Sequence, residues 1–491
     1  MNSLSPPHAV LPLTTRHVPC TACGCVCDDL AITVVENRVT GIENSCPIAE
    51  EWFASQSVTE PPIAQIEGRE VSLDEAVLKA AEILSRSDGP LIYGLSRSNT
   101  AGQKIAVRLA ADLRATIDTT ASQCHGPSIM AIQEMGESTC TLGEVRNRAD
   151  LVIYWGCNPA ETHPRHAERY AVFPRGRHVP GGRADRTVVM IGTRGEVEEW
   201  RLDRSGSQPD FVIPIESGRD FEALTTLLAL VRGWPDLSCI PPVIDGKGGS
   251  RRESIANCQA DLRSSSLPSV PPGADLELLS DLARRMKSCR YGVVFFGLGL
   301  TGMVRDRDFG NPMPGQHTVH LLLKLVAELN AHTRFFARRM RIYGDVTGAD
   351  NVLCWQTGYP FGVDLGRGYP RYNPGEFTAD DLLSRHEVDA CLLVGSETYE
   401  LMRTESQQTL REIPTIAIEN PGTSLPFTPA VRITTAPCGL STGGTIYRMD
   451  GVPLSMRSVL LSEYPTDAEV LERIRVAVAS HTERGEYAPL N

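Results

Sequence analysis

Four cysteines near the amino terminus have the spacing of metal ligands. Cys20, Cys23 and Cys27 lie close together and Cys46 follows after eighteen residues, which gives C-x2-C-x3-C-x18-C. Thiolates are the soft ligands that iron–sulphur clusters and zinc require. A tetrahedral zinc site usually takes two C-x2-C pairs, whereas three close thiolates and one distant thiolate can enclose a four-iron cluster. The spacing favours a 4Fe-4S cluster. A zinc site, or a loop that no longer holds metal, is the alternative, and Cys25 leaves the choice of ligands open.

A second thiol that could do chemistry is Cys124, in the segment S-Q-C-H-G-P-S. The preceding A-T-I-D-T-T is typical of a strand, and a helix is expected from Ile129. Cys124 would then lie between the carboxyl end of a strand and the amino end of a helix. Open α/β sheets bind ligands at that edge, and a helix N-terminus favours the thiolate over the thiol. From local features alone, a buried cysteine in a turn is the alternative interpretation.

A third group of polar residues follows the strand A-D-L-V-I-Y-W, in the segment G-C-N-P-A-E-T-H-P-R-H. Asn158, His163 and Arg165 are its candidate ligand-binding residues, because they too would follow the carboxyl end of a strand. A capped turn with solvated charges is the alternative.

Alternating strands and helices must position these residues. A helix is predicted from Ser72, and buried strands at P-L-I-Y-G-L and D-A-C-L-L-V-G. The alternating segments A-I-T-V-V-E and R-V-T-G-I-E predict a hairpin around Asn37. Such alternation indicates parallel sheets, so the fold class is α/β, with a small N-terminal thiol-rich domain and two Rossmann-like lobes. The predicted boundaries are 17–60 for the iron–sulphur domain, 61–234 for the first lobe with the Cys124 loop, 235–275 for a linker or surface insertion, 276–455 for the second lobe, and 456–491 for a C-terminal helix and tail.

Composition excludes several classes of function. The chain has 491 residues, 41% of them hydrophobic, and a net charge of −12, which argues against nucleic acid or an anionic membrane as the main partner. No apolar run reaches the roughly 20 residues of a membrane-spanning helix, and the first residues lack the pattern of a signal peptide. We therefore expect a cytoplasmic protein, whose 14 cysteines are ligands and core residues rather than disulphides.

Several stretches together resemble one family. They are C-x2-C-x3-C, T-x4-C-H-G-P-S, Y-W-G-C-N-P-x-E-x-H-P-R-H, M-R-x-Y-G-D-V-T-G, L-C-W-Q-T-G-Y-P, Y-P-R-Y-N-P-G-E and G-T-x-Y-R-M-D-G-V-P. The chain resembles the B subunit of formylmethanofuran dehydrogenase, in a family that includes the B chain of the bacterial formyltransferase/hydrolase complex. The resemblance extends from Cys20 to Pro453. It disfavours an unrelated zinc-ribbon protein.

The resemblance implies a molybdopterin-oxidoreductase-like fold. Redox members of the family hold a 4Fe-4S cluster and molybdenum or tungsten on bis-molybdopterin guanine dinucleotide, and they interconvert carbon dioxide and formate. A zinc amidohydrolase-like subunit and a formyltransferase are the implied partners, which pass the formyl group to or from a methanofuran-type carrier. The matching residues are Cys20, Cys23, Cys27 and Cys46 for the cluster, Cys124 for the metal-ligating thiolate, and His125 and Arg341 for the polar residues beside the metal.

The sequence departs from the redox members of the family at two places where the guanine dinucleotide ends of the cofactor are expected to bind. Redox members typically place an acidic residue at the end of the strand T-V-V-M-I, where this chain has Met190 and Ile191. They also carry a Ser-Asp-Pro-Gly-type turn after D-A-C-L-L-V-G, where this chain has Glu397 and its neighbours. B chains of the bacterial complexes can lack the redox cofactor. The leading expectation is redox chemistry at Cys124, and the alternative is a pterin-free structural subunit of a formyltransferase/hydrolase complex.

Overall fold

The computed structural model describes residues 12–58, 60–233, 273–302, 315–423 and 425–483. The chain forms two compact units, each assembled from separate segments. Unit 1 comprises residues 1–126, 163–165 and 341–491, and unit 2 comprises residues 127–162 and 166–340.

Strands and helices alternate along the described chain, as the sequence predicts. The strands are β1 (Leu13–Val18), β2 (Leu30–Val35), β3 (Arg38–Glu43), β4 (Ala64–Ile66), β5 (Arg69–Glu70), β6 (Pro90–Gly94), β7 (Thr116–Thr119), β8 (Leu151–Trp155), β9 (Thr187–Thr193), β10 (Phe211–Ile215), β11 (Tyr291–Phe296), β12 (Arg334–Arg339), β13 (Val363–Asp364), β14 (Arg371–Tyr372), β15 (Ala390–Val394), β16 (Thr415–Glu419), β17 (Val431–Thr434), β18 (Gly444–Tyr447) and β19 (Pro453–Met456). The helices are α1 (Pro47–Val58), α2 (Leu73–Ser85), α3 (Thr100–Leu113), α4 (Gly126–Met135), α5 (Leu142–Arg148), α6 (Pro159–Thr162), α7 (Asp220–Arg232), α8 (Leu276–Ser288), α9 (Leu298–Thr301), α10 (Gln316–Leu329), α11 (Val346–Thr357), α12 (Ala379–Ser384), α13 (Thr404–Glu412) and α14 (Asp467–Glu483).

The main sheet of unit 1 has nine strands in the order β14-β13-β7-β6-β15-β16-β17-β4-β5. Its centre, β7-β6-β15-β16-β17, is parallel, and every residue of β6, β15 and β16 is buried. Buried parallel strands are continuous apolar runs because helices cover both faces. Numbered along the chain, these five strands have the order 2-1-3-4-5 of flavodoxin-like sheets, whose topological switch point lies between the first and third strands, here β6 and β15.

Unit 1 also holds a small antiparallel sheet of β1, β2 and β3 beside the thiols. The predicted hairpin around Asn37 is confirmed: β2 pairs with β3, and Glu36 and Asn37 both have positive φ, of 50° and 59°, as a two-residue type I′ turn requires. The sheet begins at Leu13, before the predicted boundary at residue 17.

The sheet of unit 2 has five parallel strands in the order β10-β9-β8-β11-β12. Numbered along the chain, this is 3-2-1-4-5, the strand order of a Rossmann sheet, with its switch point between β8 and β11. The predicted α/β class and parallel sheets are therefore confirmed.

The units differ from the predicted lobes, which follow one another along the chain. In unit 1, β6 pairs with β15, about three hundred positions later, with Ile92 opposite Leu392. Local patterns record where a strand lies but not which distant strand becomes its neighbour.

The predicted linker and the predicted C-terminal helix have different outcomes. The predicted linker at 235–275 lies outside the described residues, apart from 273–275, which lead into α8. The predicted C-terminal helix is confirmed as α14, which packs on α2 and α3 and buries Val470, Leu471 and Ile474; residues 484–491 are not described. No helix in the described part of the chain is long and apolar enough to cross a membrane.

Candidate functional site

The loop between β1 and β2 holds the thiols of Cys20, Cys23, Cys25 and Cys27, all of them buried. We call residues 20–27 the thiol loop. A hydrogen bond from Cys20 N to Cys27 O, at 2.8 Å, closes it. Val26 has φ of 37°, an unusual conformation for a β-branched residue that costs on the order of 1–3 kcal/mol. The surrounding structure therefore holds the loop in a strained, defined shape.

Cys46 completes the predicted set of thiols, at the start of α1. Burial raises the pKa of the Cys20 thiol well above its usual value, and Cys23, Cys27 and Cys46 raise it further. The other three thiols therefore lie within electrostatic reach of the Cys20 thiol. The pKa of the Cys23 thiol is lowered, first by a hydrogen bond with Cys25.

The described residues contain no group of three or more His, Cys, Asp or Glu side chains close enough to hold one metal ion. A cubane cluster binds each thiolate to a separate iron, so its ligand sulphurs lie farther apart than the ligands of a single ion. Four thiols are a soft donor set that both an iron–sulphur cluster and zinc accept, so the 4Fe-4S cluster stays a prediction.

Two distant segments pack on the thiol loop. Gly24 N donates to Ile342 O at 3.1 Å, and Met449 N donates to Gly24 O at 2.9 Å. A Cβ at position 24 would lie 2.1 Å from Arg341 O, so only glycine fits there. The stretches M-R-x-Y-G-D-V-T-G and G-T-x-Y-R-M-D-G-V-P therefore meet at the thiol loop, although they are far apart in sequence.

Cys124 lies in the predicted setting of strand, turn and helix. β7 ends at Thr119, a 3-10 turn spans Thr120–Gln123, and α4 begins at Gly126 rather than at Ile129. Cys124 N donates to Ala121 O at 3.0 Å, and the Cys124 residue is 5% exposed. His125 is fully buried. A buried thiol at a strand end and beside a helix N-terminus suits a soft metal.

A buried ion pair connects Arg341 to the strand that leads to Cys124. Arg341 Nη1 donates to Asp350 Oδ2 at 2.5 Å, and Thr119 Oγ1 donates to Asp350 Oδ1 at 2.9 Å. The Arg341 and Asp350 side chains are only 4% and 8% exposed. Sequence reasoning missed Asp350, because a single aspartate in a helix gives no local sign of a buried partner.

His163 and Arg165 belong to unit 1, and their observed partners are protein groups. His163 Nε2 lies 2.6 Å from Arg341 O, and since a carbonyl only accepts, Nε2 carries the proton. Burial lowers the pKa of His163 to about 4, so the imidazole is neutral. Arg165 donates to both carboxylate oxygens of Asp29, at 2.7 and 2.8 Å. These contacts brace Arg341 and the end of the thiol loop, and a role in cofactor binding stays a prediction.

Asn158, the third predicted cofactor-binding residue, lies in unit 2. Its carbonyl accepts from the backbone N–H groups of Glu161 and Thr162 at 3.3 and 3.1 Å. Its side-chain Oδ1 has no hydrogen-bond partner within the described ranges. The structure therefore places it after β8 of unit 2, whereas Cys124, His125 and Arg341 belong to unit 1.

A cavity of about 240 Å³ opens at the switch point of the unit 1 sheet, between the residues that follow β6, β15, β16 and β17. Three carboxylates line it, those of Glu397, Glu419 and Asp467, together with Arg97. Burial raises the pKa of Glu419 and of Asp467. Phosphates bind where backbone N–H groups and cations converge, and small-molecule sites usually measure about 300–1,000 Å³. The three carboxylates therefore make the lining of this cavity unfavourable to the phosphates of a guanine dinucleotide.

The switch point of unit 2 is narrowed by backbone contact. Gly299 N, after β11, donates to Gly156 O, after β8, at 3.1 Å. Gly156 has φ of 62°, and a Cβ there would lie 2.7 Å from Leu300 N. Among the described residues, the two loops therefore touch where a Rossmann sheet usually admits a nucleotide. Cys124, His125 and Arg341 of unit 1 are thus of the residue types that a soft metal and an anionic substrate require, and the pterin cofactor itself stays a prediction.

The chain is similar to B subunits of formylmethanofuran dehydrogenases and of a formyltransferase/hydrolase complex. No family model matches the chain. It is 35% identical over 453 residues to the B subunit of the tungsten-containing formylmethanofuran dehydrogenase 2 of Methanocaldococcus jannaschii, covering 91% of this chain and 93% of the relative. The protein of the same name from Methanococcus maripaludis is 32% identical, with coverage of 94% and 97%.

A bacterial relative is more distant. The B subunit of the formyltransferase/hydrolase complex Fhc of Methylorubrum extorquens is 25% identical, covering 84% of this chain and 97% of the relative. The crystal structure of the FhcABCD complex from that organism with methylofuran matches with a TM-score of 0.63 and 24% identity, over 86% of this chain and 99% of the matched chain. That match shows a shared fold. Identity above 30% over nearly the whole length of two relatives shows more: this chain belongs to the family of formylmethanofuran dehydrogenase B subunits.

Proposed function

We propose that this chain is a redox-competent member of its family, which interconverts carbon dioxide and formate and is coupled to formyl transfer to or from a methanofuran-type carrier. One observation carries the proposal: the thiol loop packs directly on the segment that bears Arg341, through the bond between Gly24 N and Ile342 O. Arg341 is in turn tied through Asp350 to the strand that leads to Cys124. A cluster beside a catalytic thiol is the arrangement that an electron relay requires.

In this proposal the predicted ligands keep their roles. Cys20, Cys23, Cys27 and Cys46 hold the 4Fe-4S cluster, and Cys124 ligates tungsten or molybdenum carried by bis-molybdopterin guanine dinucleotide. The names of the two archaeal relatives favour tungsten. When bound, the metal supplies the two-electron exchange between formate and carbon dioxide.

Arg341 and His125 would bind the formate and transfer its proton. Arg341 supplies a guanidinium for the formate carboxylate, and Asp350 fixes its orientation. His125, which is fully buried and follows Cys124 in the chain, is an imidazole that can accept or donate a proton near neutral pH. His163 holds the backbone carbonyl of Arg341 as a neutral hydrogen-bond donor.

Formyl transfer itself is assigned to partner subunits. The described residues hold no cluster of His, Cys, Asp or Glu that suits one metal ion, and a zinc amidohydrolase-like subunit and a formyltransferase would supply that chemistry. The FhcABCD structure is that of a hetero-oligomeric complex with methylofuran, which supports such an assembly here.

A second candidate function is a pterin-free structural subunit of a formyltransferase/hydrolase complex. The acidic cavity at the unit 1 switch point favours it, because Glu397, Glu419 and Asp467 would repel nucleotide phosphates. In that case Cys124 is a buried core thiol.

A Cys124→Ala variant distinguishes the two. The complex is purified anaerobically from its native host and assayed for formate-dependent dye reduction, for formyl transfer and for iron. We expect Cys124→Ala to abolish dye reduction with its iron content intact. Cys157→Ala is the matched control, since Cys157 is also buried, at 8% exposure, and follows β8 of unit 2; it should keep the activity. A wild-type complex without dye reduction, whose formyl transfer is unchanged in Cys124→Ala, would support the structural role instead.

A further inference from the structure

Arg97 connects the acidic cavity to the thiol loop. It lies after β6 and lines the cavity. Its Nη1 donates to Thr21 O at 2.8 Å and to Ala22 O at 3.3 Å. Thr21 and Ala22 lie between Cys20 and Cys23 in the sequence, so the guanidinium charge is held against the backbone that joins two predicted cluster ligands.

The backbone around Arg97 is fixed from several sides. Asp345 N donates to Ser96 O at 2.8 Å. A Cβ on Gly344 would lie 2.8 Å from Ser96 O and 3.0 Å from Thr21 O, so the three segments are in close contact. Arg97 is thus presented by a packed turn rather than by a loose loop, and its charge has a defined position.

The charges around Arg97 are of opposite sign. Glu397, Glu419 and Asp467 line the same cavity, and carboxylates near a cluster disfavour the addition of an electron. A guanidinium stays protonated at any physiological pH, and it favours the reduced cluster, which carries one more negative charge. Hydrogen bonding and nearby charge are the main means by which a protein sets the potential of such a cluster.

We propose that Arg97 is a positioning residue that raises the reduction potential of the cluster by holding its charge against the thiol loop. The inference rests on the cluster of the proposed function. In this role Arg97 acts through its hydrogen bonds to the backbone carbonyls of Thr21 and Ala22.

The test is an anaerobic redox titration of the intact complex, followed by the electron paramagnetic resonance of the reduced cluster. We expect Arg97→Gln to lower the ratio of reduced to oxidised cluster about tenfold at a fixed potential, a shift of about 59 mV for one electron. Arg97→Lys keeps the charge and should shift the ratio less than about threefold. Arg403→Gln is the control, since Arg403 pairs with Asp381 at 2.9 Å and donates to Ser384 Oγ at 3.0 Å rather than to the thiol loop, and it should leave the potential unchanged.

A second variant covers the case in which Arg97→Gln loses its cluster. In Arg97→His the charge appears as the pH falls through about 6.5, so the potential should rise on acidification more steeply than in the wild type. A wild-type complex that lacks iron overturns the proposed function and this inference together. A wild type with a normal cluster, and unchanged potentials in Arg97→Gln and Arg97→His, overturns the role of Arg97 alone.

Discussion

Loss of the Asp350 carboxylate should destabilise the site around Arg341 and Cys124 more than the loss of a carboxylate from a surface ion pair would. Asp350 accepts from Arg341 and from Thr119, and both partners of the ion pair are nearly inaccessible, at 4% and 8% exposure. Removal of one member of a buried pair costs about 3–5 kcal/mol, because the other charge is left without compensation. We therefore expect Asp350→Ala to lower the free energy of local opening by about that amount.

Hydrogen exchange measured by mass spectrometry reports this opening directly. At about 1.4 kcal/mol for each factor of ten, amides of β7 and α11 should exchange on the order of a hundred- to several-thousand-fold faster in Asp350→Ala. Asp112→Ala is the matched control: Asp112 pairs with Arg475, but its side chain is 42% exposed, and such pairs contribute about 0–1 kcal/mol.

A double variant separates the charge from the packing. Arg341→Met with Asp350→Leu removes both charges and keeps most of the volume, and such replacements are often neutral or stabilising. We expect it to recover most of the protection that Asp350→Ala loses, without activity. Exchange in Asp350→Ala within about threefold of the wild type, or a double variant as unstable as the single one, would refute the reasoning.

Two further predictions concern His163 and Cys25. Burial lowers the pKa of His163 to about 4, below the roughly 6.5 of a histidine in an unfolded chain. Between these two pH values the folded state binds fewer protons than the unfolded state. The free energy of unfolding should therefore fall by up to about 3 kcal/mol as the pH drops from about 6.5 to about 4. Denaturant titrations should show this loss in the wild type and not in His163→Gln; equal pH profiles would contradict it. Cys25→Ser should retain the iron content of the wild type, whereas Cys20→Ser should reduce it; the reverse order in an iron assay would make Cys25 a ligand.

Local sequence patterns predicted those features that depend on neighbouring residues. The strand, turn and helix around Cys124, the hairpin at Asn37 and the start of α2 all follow from such patterns. Ser72 caps α2 with a reciprocal pair of hydrogen bonds to Glu75, which is a signal that a few consecutive residues suffice to give.

Features that depend on distant residues could not be predicted in this way. The pairing of β6 with β15, the contact of Met449 with Gly24 and the burial of Asp350 against Thr119 all join segments hundreds of positions apart. A polar residue after a strand can bind a ligand or brace the protein, and its sequence context is the same in both cases. His163 is an example, since the structure shows it bonded to Arg341 O.

The content of metal in the complex tests the central claim most directly. Elemental analysis of anaerobically purified wild-type complex should find about four irons bound to each copy of this chain, in addition to any iron of its partners, and about one tungsten or molybdenum. The iron should be lost in the Cys20→Ser variant. A single zinc in place of the iron, with neither tungsten nor molybdenum, would contradict the account.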